Sequence, residues 1–130
     1  IDLSPKTVKR AKENLKAHSN VTLICCDFMS YEFERKFDVI YSSLTFMHIR
    51  DKQAAINIVR SLLNIDGRFV LSIDKNQSDT IDYGTRKIKI YPDNKEDIVK
   101  YITQSGMNLI KVFETDFAFV FIAEMKQNNS

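Results

Sequence analysis

FDVIYSSLTFMHIRDKQAAINIVRSLLNIDGRFVLSID, residues 37–74, contains the strand–helix–strand pattern that decides the fold. Its first run, 37–42, is short, apolar and rich in β-branched residues, which is typical of a strand buried on both faces of a sheet. A helix follows from Asp51 to Leu63, with an apolar face at Ala54, Ala55, Ile58, Val59, Leu62 and Leu63. A turn at Asp66-Gly67 then leads into a second apolar run, 68–73. This order predicts two parallel strands joined by a crossover helix.

The residues before this stretch predict one more helix and one more strand. Ser4 is suited to an N-cap and Pro5 to the first helical position. A helix of about three turns should follow, with Val8, Ala11 and Leu15 on its packing face. The apolar run 21–25 is expected to be a further buried strand of the parallel sheet.

The residues after the stretch predict a long loop, a helix and a hairpin. The loop covers 75–93 and includes a short strand at Lys87–Tyr91. Asn94 should cap a helix that runs through about Ser105, with Ile98, Val99 and Ile102 inward and Gly106 after its end. The last two runs, 108–114 and 117–125, are separated by a tight turn and predict an antiparallel hairpin. The whole pattern predicts one α/β domain over 1–130, with a Rossmann-like, mainly parallel sheet and a C-terminal antiparallel hairpin.

Polar residues stand at the carboxyl ends of the expected strands. These residues are Asp2, Asp27, Ser42 and Asp74. Open α/β sheets bind ligands beyond the carboxyl ends of their strands, so the four side chains mark a candidate binding site.

The charge and the cysteine content limit the classes of partner and cofactor that the chain is expected to bind. The net charge is +2, and charges of both signs alternate along the chain, which argues against nucleic acid or a membrane as partner and for a small molecule. A nucleotide- or RNA-binding alternative would use Arg86, Lys87 and Lys89, a short basic run that more often is a solvated strand face. Cys25 and Cys26 are adjacent, which suits neither a disulfide framework nor a zinc site, so we expect no metal and a reducing cytoplasm.

Four motifs resemble successive signatures of class I S-adenosylmethionine-dependent methyltransferases that act on small molecules. In chain order they are IDLSPKTVKRAKENL, CCDFMSYEF, FDVIYSSLTFMHI and LLNIDGRFVLSID. With the final hairpin, the resemblance covers nearly the whole chain. It implies a Rossmann-like fold, S-adenosyl-L-methionine as cofactor, and methyl transfer to a small-molecule acceptor.

The resemblance also assigns cofactor contacts at the first two motifs. Asp2 matches the acidic residue that holds both ribose hydroxyls, and Leu3 matches the apolar residue against the adenine. Asp27 resembles the acidic residue that accepts a hydrogen bond from the adenine amino group. Phe28 would pack beside the adenine ring, and Cys26 would contact the cofactor through its backbone. The alternatives are that Asp2 is a surface carboxylate without a role and that Asp27 only starts a turn.

At the third motif, the resemblance places Ser42 and Ser43 beside the methionine part of the cofactor, where they would act through backbone carbonyls. His48 matches a position near the acceptor, from which an imidazole can take a proton; the alternative is a structural histidine. Tyr41, Phe46 and Met47 are expected in the core. Methyl transfer is an in-line substitution that needs positioning more than an enzyme nucleophile.

The chain departs from the family at its front. The glycine-rich cofactor loop normally precedes the ribose-binding acid by roughly 20 residues, whereas here that acid is the second residue. The chain is therefore interpreted as the C-terminal part of an N-terminally truncated domain. By itself it is expected to form a homo-oligomer and to bind the cofactor weakly or not at all. The alternative function is an inactive, methyltransferase-like module for dimerisation or scaffolding.

Overall fold

The computed structural model describes residues 1–2, 4–75, 77, 80–83 and 86–126, of which 80–83 and 86–89 are described by their backbone. The chain divides into two compact units, Ile1–Glu34 and Arg35–Ser130, which are described separately below. Among these residues no helix combines the length and the apolar character that crossing a bilayer requires.

The first unit contains one helix and one isolated bridge. Helix α1 spans Pro5–Leu15, and the hydroxyl of its N-cap Ser4 accepts from the amide of Thr7, as the sequence predicts. The expected strand at 21–25 is wrong in extent, because only Cys25 bridges, in parallel, to Asp2. Among the described residues this bridge is held by two backbone hydrogen bonds, from Asp2 to Ile24 and from Cys26 to Asp2, and no ladder of successive pairs extends it.

The second unit is built on a four-stranded sheet in the order β1-β2-β6-β5. Its strands are β1 (Phe37–Ser43), β2 (Leu63–Asp74), β5 (Asn108–Glu114) and β6 (Ala118–Glu124). β1 and β2 are parallel, while β2–β6 and β6–β5 are antiparallel. The expected crossover pair and the C-terminal hairpin are therefore confirmed, and the parallel part of this sheet is one strand pair.

Helices α2 (Lys52–Leu62) and α3 (Lys95–Gln104) lie against each other, with α2 beside β2 and α3 beside β5. The strand residues that are fully or almost fully buried share one face of the sheet: Phe69, Leu71, Ile73, Phe121 and Ala123. The buried helix residues complete this core: Ala55, Ile56, Val59, Ile98 and Ile102. Ile56 is buried although it was not among the residues expected on the apolar face of α2.

Three further expectations are corrected. Asp66-Gly67 does not precede the strand but lies inside β2, where the β1–β2 register shifts between Phe37 and Val39 and Asp66 has a φ of 66°. The loop 75–93 contains an antiparallel hairpin, β3 (Thr80–Tyr83) and β4 (Arg86–Lys89), where one short strand was expected. Tyr41 is 63% exposed because it pairs with Val70 on the sheet face opposite the buried Phe69 and Leu71, whereas Phe46 and Met47 are buried as expected.

Candidate functional site

Asp2 lies in the first unit, beside the end of the 21–25 segment. Its amide donates to the carbonyl of Ile24 and its carbonyl accepts from the amide of Cys26, both at 3.0 Å. Its carboxylate is half-buried, and Oδ1 accepts from the amide of Ser4 at 2.8 Å. One carboxylate oxygen of Asp2 is thus held by the N-cap residue of α1. A carboxylate has two oxygens and about four acceptor positions, so this bond leaves capacity for a diol.

Asp27 and Phe28 form the start of a compact turn in the same unit. Asp27 Oδ1 accepts from the amide of Met29 at 3.0 Å, and its carbonyl accepts from the amides of Ser30 and Tyr31. The turn-forming role that the sequence left open is therefore present, on an exposed carboxylate. The ring of Phe28 lies 6.0 Å from that of Phe33 in an aromatic cluster. Leu3, the remaining predicted cofactor contact of this unit, lies outside the described residues.

Ser42 and Ser43 end β1 in the second unit and are held by hydroxyl contacts. Ser42 Oγ and Thr45 Oγ1 share a hydrogen bond of 3.1 Å, and the buried Ser72 donates to Ser43 Oγ at 3.4 Å. Leu44 follows with a φ of 53°, and its amide donates to the carbonyl of Ser72 at 3.0 Å. A left-handed, non-glycine residue is costly, so the hydrogen bonds around it must hold the chain in this bend.

His48 is carried by residues 45–49, here called the His48 turn, which contains a 3₁₀ helix at Phe46–His48. The amide of His48 donates to the carbonyl of Thr45 at 3.0 Å. Phe46 and Met47 anchor the turn in the core, while His48 itself is exposed. The turn therefore holds an exposed imidazole next to two buried side chains.

Lys52 is a site residue that the sequence reasoning missed. It begins α2, and its side chain is only 9% exposed. Its ammonium nitrogen donates to the carbonyls of Phe46 (2.8 Å) and Ile49 (3.1 Å) and pairs with Asp93 Oδ1 at 2.6 Å. Two of the three ammonium donors bind these carbonyls, and the contact with Asp93 Oδ1 is an ion pair, since that buried oxygen accepts no hydrogen bond. The available signal was a lysine in the first turn of a helix, where the helix dipole disfavours a cation.

Asp93 connects Lys52 to the end of β2. The side chain of Asp93 is 1% exposed. Gln77 accepts from the amide of Asp93 at 2.7 Å, and its amide nitrogen donates to Asp93 Oδ2 (3.3 Å) and to the carbonyl of Asp74 (2.9 Å). The Lys52–Asp93 network, defined as Lys52, Asp93 and Gln77, thus joins the residues that follow β1 to those that follow β2.

A second ion pair lies at the same end of β2 but in solvent. Lys75 Nζ is 2.9 Å from Glu114 Oε2. The hydrogen bond from Lys75, and then its charge, hold the pKa of Glu114 below its ordinary value. The ammonium groups of Lys75 and Lys95 also lie 5.6 and 5.4 Å from the ring centre of Phe119.

The described residues hold no cluster of three or more histidine, cysteine or acidic side chains that could bind a metal ion. A shallow hollow of about 190 Å³ in the first unit contains none of the predicted site residues; it is lined by Lys12, Leu15, Lys16, His18, Val21 and Leu23. The described residues among the predicted site residues form two groups. The first unit contains Asp2, Cys26, Asp27 and Phe28, and the second unit contains Ser42, Ser43 and His48.

Comparison with known proteins shows which family and which proteins the chain is similar to. Residues 1–115 match a family described as a methyltransferase domain. Malonyl-[acyl-carrier protein] O-methyltransferase 1 of Ilyobacter polytropus is 36% identical over 78 residues, which is 60% of this chain and 29% of that protein. The chain thus spans less than a third of that relative.

Solved structures share the fold. An S-adenosylmethionine-dependent methyltransferase from Clostridium acetobutylicum superposes with a TM-score of 0.76 at 16% identity, covering 96% of this chain and 73% of that one. The N-methyltransferase NodS from Bradyrhizobium japonicum, in complex with S-adenosyl-L-homocysteine, superposes with a TM-score of 0.72 at 14% identity, covering 97% and 65%. At these identities the likeness concerns the fold, and it supports the Rossmann-like class expected from the sequence.

Proposed function

The chain belongs to the methyltransferase domain family, and from this premise we propose that its protein transfers a methyl group from S-adenosyl-L-methionine to a small-molecule acceptor. The observation that carries the proposal is the family match over 1–115, which includes all eight predicted site residues. Residues 1–130 are then part of one methyltransferase domain. A cytoplasmic location belongs to the same proposal.

The first group of residues would bind the nucleoside part of the cofactor. Asp2 accepts hydrogen bonds from both ribose hydroxyls, a pairing that suits a carboxylate and a vicinal diol. Asp27 would accept from the adenine amino group, Leu3 and Phe28 would contact the ring, and Cys26 would contribute its backbone. The half-buried carboxylate of Asp2 supports this role, because its orientation is already set by the amide of Ser4.

The second group would act at the methyl group and the acceptor. The cofactor supplies an electrophilic carbon, so the residues of this chain need only align the acceptor and exclude water. Ser42 and Ser43 offer backbone carbonyls, and their hydroxyls are occupied by Thr45 and Ser72. His48 takes the proton of an acceptor hydroxyl or amine, for which its exposed imidazole is suited.

The ribose assignment is tested by calorimetric titration of the full-length protein with S-adenosyl-L-homocysteine. Asp2→Ala should weaken binding by roughly 1.5–3 kcal/mol, the range for hydrogen bonds to a charged group. Asp116→Ala, which removes an exposed carboxylate from the β5–β6 turn, is the matched control and should bind like the parent. Equal affinities for the parent and a folded Asp2→Ala protein would reject the role of Asp2.

An inactive dimerisation or scaffolding module is the second candidate. The observation that favours it is the edge strand β1, which exposes Val39 and Tyr41 on a face that a partner could cover. A thermal-shift titration separates the two candidates, because ligand binding to the folded state raises the melting temperature. Stabilisation of the full-length protein by S-adenosyl-L-methionine favours the enzyme; no shift at millimolar cofactor favours the module.

A further inference from the structure

Lys52 occupies a position that is unfavourable for a lysine on two counts. Its charge is buried, and it lies in the first turn of α2, where the partial positive charge of the helix repels a cation. Burial of a charge is tolerated when it is hydrogen-bonded and a counter-ion is present. Lys52 donates to the carbonyls of Phe46 and Ile49 and has Asp93 as its counter-ion, so its burial depends on the groups that it holds.

These groups fix the backbone on both sides of His48. Lys52 binds the carbonyl of Phe46, two residues before His48, and the carbonyl of Ile49, one residue after it. Between them, the carbonyl of Met47 accepts from the amide of Tyr91 at 2.7 Å. Three hydrogen bonds, two from Lys52 and one from the amide of Tyr91, therefore fix the path of the His48 turn, while the imidazole stays exposed.

The same ammonium joins the two segments that follow the parallel strands. Through Asp93 and Gln77 it is linked to the carbonyl of Asp74, the last residue of β2. The carboxyl ends of parallel strands are where open α/β sheets bind ligands. The Lys52–Asp93 network thus fixes the distance between the two segments that follow the parallel strands, and the side chains of Lys52 and Asp93 within it are almost fully buried.

We propose that Lys52 is the positioning residue of the acceptor site, which aims the imidazole of His48 by clamping the His48 turn to Asp93. The inference rests on the proposed function, since it gives His48 its role at the acceptor. Lys52 itself contacts no substrate in this scheme; it acts through His48. Its removal should therefore change the environment and mobility of the imidazole and leave cofactor affinity as it is.

The test compares four variants by nuclear magnetic resonance on the full-length protein, one of which is Lys52→Arg. Lys52→Met removes the clamp, and Lys52→Met/Asp93→Leu removes the whole ion pair and avoids a buried unpaired charge, so it keeps the protein folded. Lys75→Met is the matched control, because it removes the exposed pair with Glu114. The probes are the imidazole signals of His48 at fixed pH and the amide hydrogen exchange of Ile49 and Tyr91.

Both Lys52→Met variants should shift and broaden the His48 imidazole signals and speed the exchange of the Tyr91 amide about tenfold or more, as expected for losing hydrogen bonds to a charged group. Lys52→Arg, which retains the charge, should recover most of the parent imidazole signals, and Lys75→Met should match the parent. Unchanged His48 signals in the folded double variant would overturn the proposal. S-adenosyl-L-homocysteine affinity, measured in parallel, reports on the proposed function alone: absence of binding in the parent removes that function and leaves the His48 comparison readable.

Discussion

At the scale of single residues, the second unit contrasts an ion pair in solvent with an ion pair in the core. Lys75 and Glu114 meet where Glu114 is exposed, so water screens their attraction. The structure nevertheless lowers the pKa of Glu114, first through the hydrogen bond from Lys75. A folded pKa below the unfolded one means that the pair stabilises the fold above the unfolded pKa of Glu114. That contribution is lost as the pH falls through the folded pKa.

The Glu114 pair gives a titration that can be read residue by residue. Lys75→Met should raise the pKa of Glu114 toward its ordinary value, because both the hydrogen bond and the nearest positive charge are removed. Carboxyl carbon shifts followed from pH 2 to 7 would measure it. Lys111→Met, on the same strand, is the control and should leave the midpoint of Glu114 in place. A midpoint that does not move in Lys75→Met would contradict the assigned cause.

The buried pair should behave differently from the exposed one. Lys52→Met leaves the carboxylate of Asp93 buried without its counter-ion, and we expect a loss of about 3–5 kcal/mol in the free energy of unfolding. Lys52→Met/Asp93→Leu should recover part of that loss, since no unpaired charge remains. Urea denaturation of both variants and of Asp93→Leu completes a double-mutant cycle. Additive losses would show that the two side chains do not depend on each other.

At the scale of elements, Gly67 allows β2 to continue through the residues that were expected to form a turn. A Cβ at position 67 would stand 2.7 Å from the carbonyl oxygen of Asn64, and backbone cannot move aside as a flexible side chain can. Gly67→Ala should therefore cost roughly 1–3 kcal/mol. Gly106→Ala is an instructive comparison, since its cost comes from a φ of +94° and its nearest neighbour is the flexible Arg60. Chemical denaturation would measure both; a Gly67→Ala protein as stable as the parent would refute the steric argument.

The elements also show which features a sequence can predict. Ser4 and Asn94 cap their helices as expected, because a cap depends on residues two or three positions away. The hairpin of β5 and β6 was predictable for the same reason, as was the crossover pair. In contrast, the contact between Lys52 and Asp93 joins residues far apart in the chain, so no local pattern predicts it. The 21–25 segment was misjudged because its apolar run indicates a strand, whereas its pairing among the described residues is limited to the bridge between Cys25 and Asp2.

The candidate site shows the same difference between features set by the local sequence and contacts between residues far apart in the chain. The positions of Ser42 and Ser43 at the end of β1, and of His48 after it, followed from the strand–helix–strand pattern, and the structure has them there. What fixes the His48 turn did not follow, because its contacts come from the start of α2 and from residue 91. Sequence motifs thus predict which residues would face ligands, and the tertiary structure shows which buried residues hold the His48 turn.

At the scale of the whole molecule, the two edges of the four-stranded sheet differ in charge. β5 carries Lys111 and Glu114, and charged side chains on an edge strand oppose pairing with another chain. β1, at the other edge, has Asp38 as its only charge and exposes Val39 (62%) and Tyr41 (63%). On its outer side β1 has no partner strand among the residues that the structure describes. The β1 edge is therefore the favoured place for another copy of the chain to pair.

We accordingly expect chain 1–130 to form a dimer through β1, because a symmetric pair covers the same exposed edge in both copies. Val39→Lys places a charge on this edge and should shift the protein to monomer. Ile110→Lys is the matched control: Ile110 is also an exposed apolar residue, at 47%, but it lies on the edge strand β5 that already carries charges, so this variant should remain dimeric. Light scattering and sedimentation velocity at micromolar concentrations measure the mass of each. A monomeric parent would remove the expectation of self-association, and a dimer disrupted by Ile110→Lys but not by Val39→Lys would move the interface to β5.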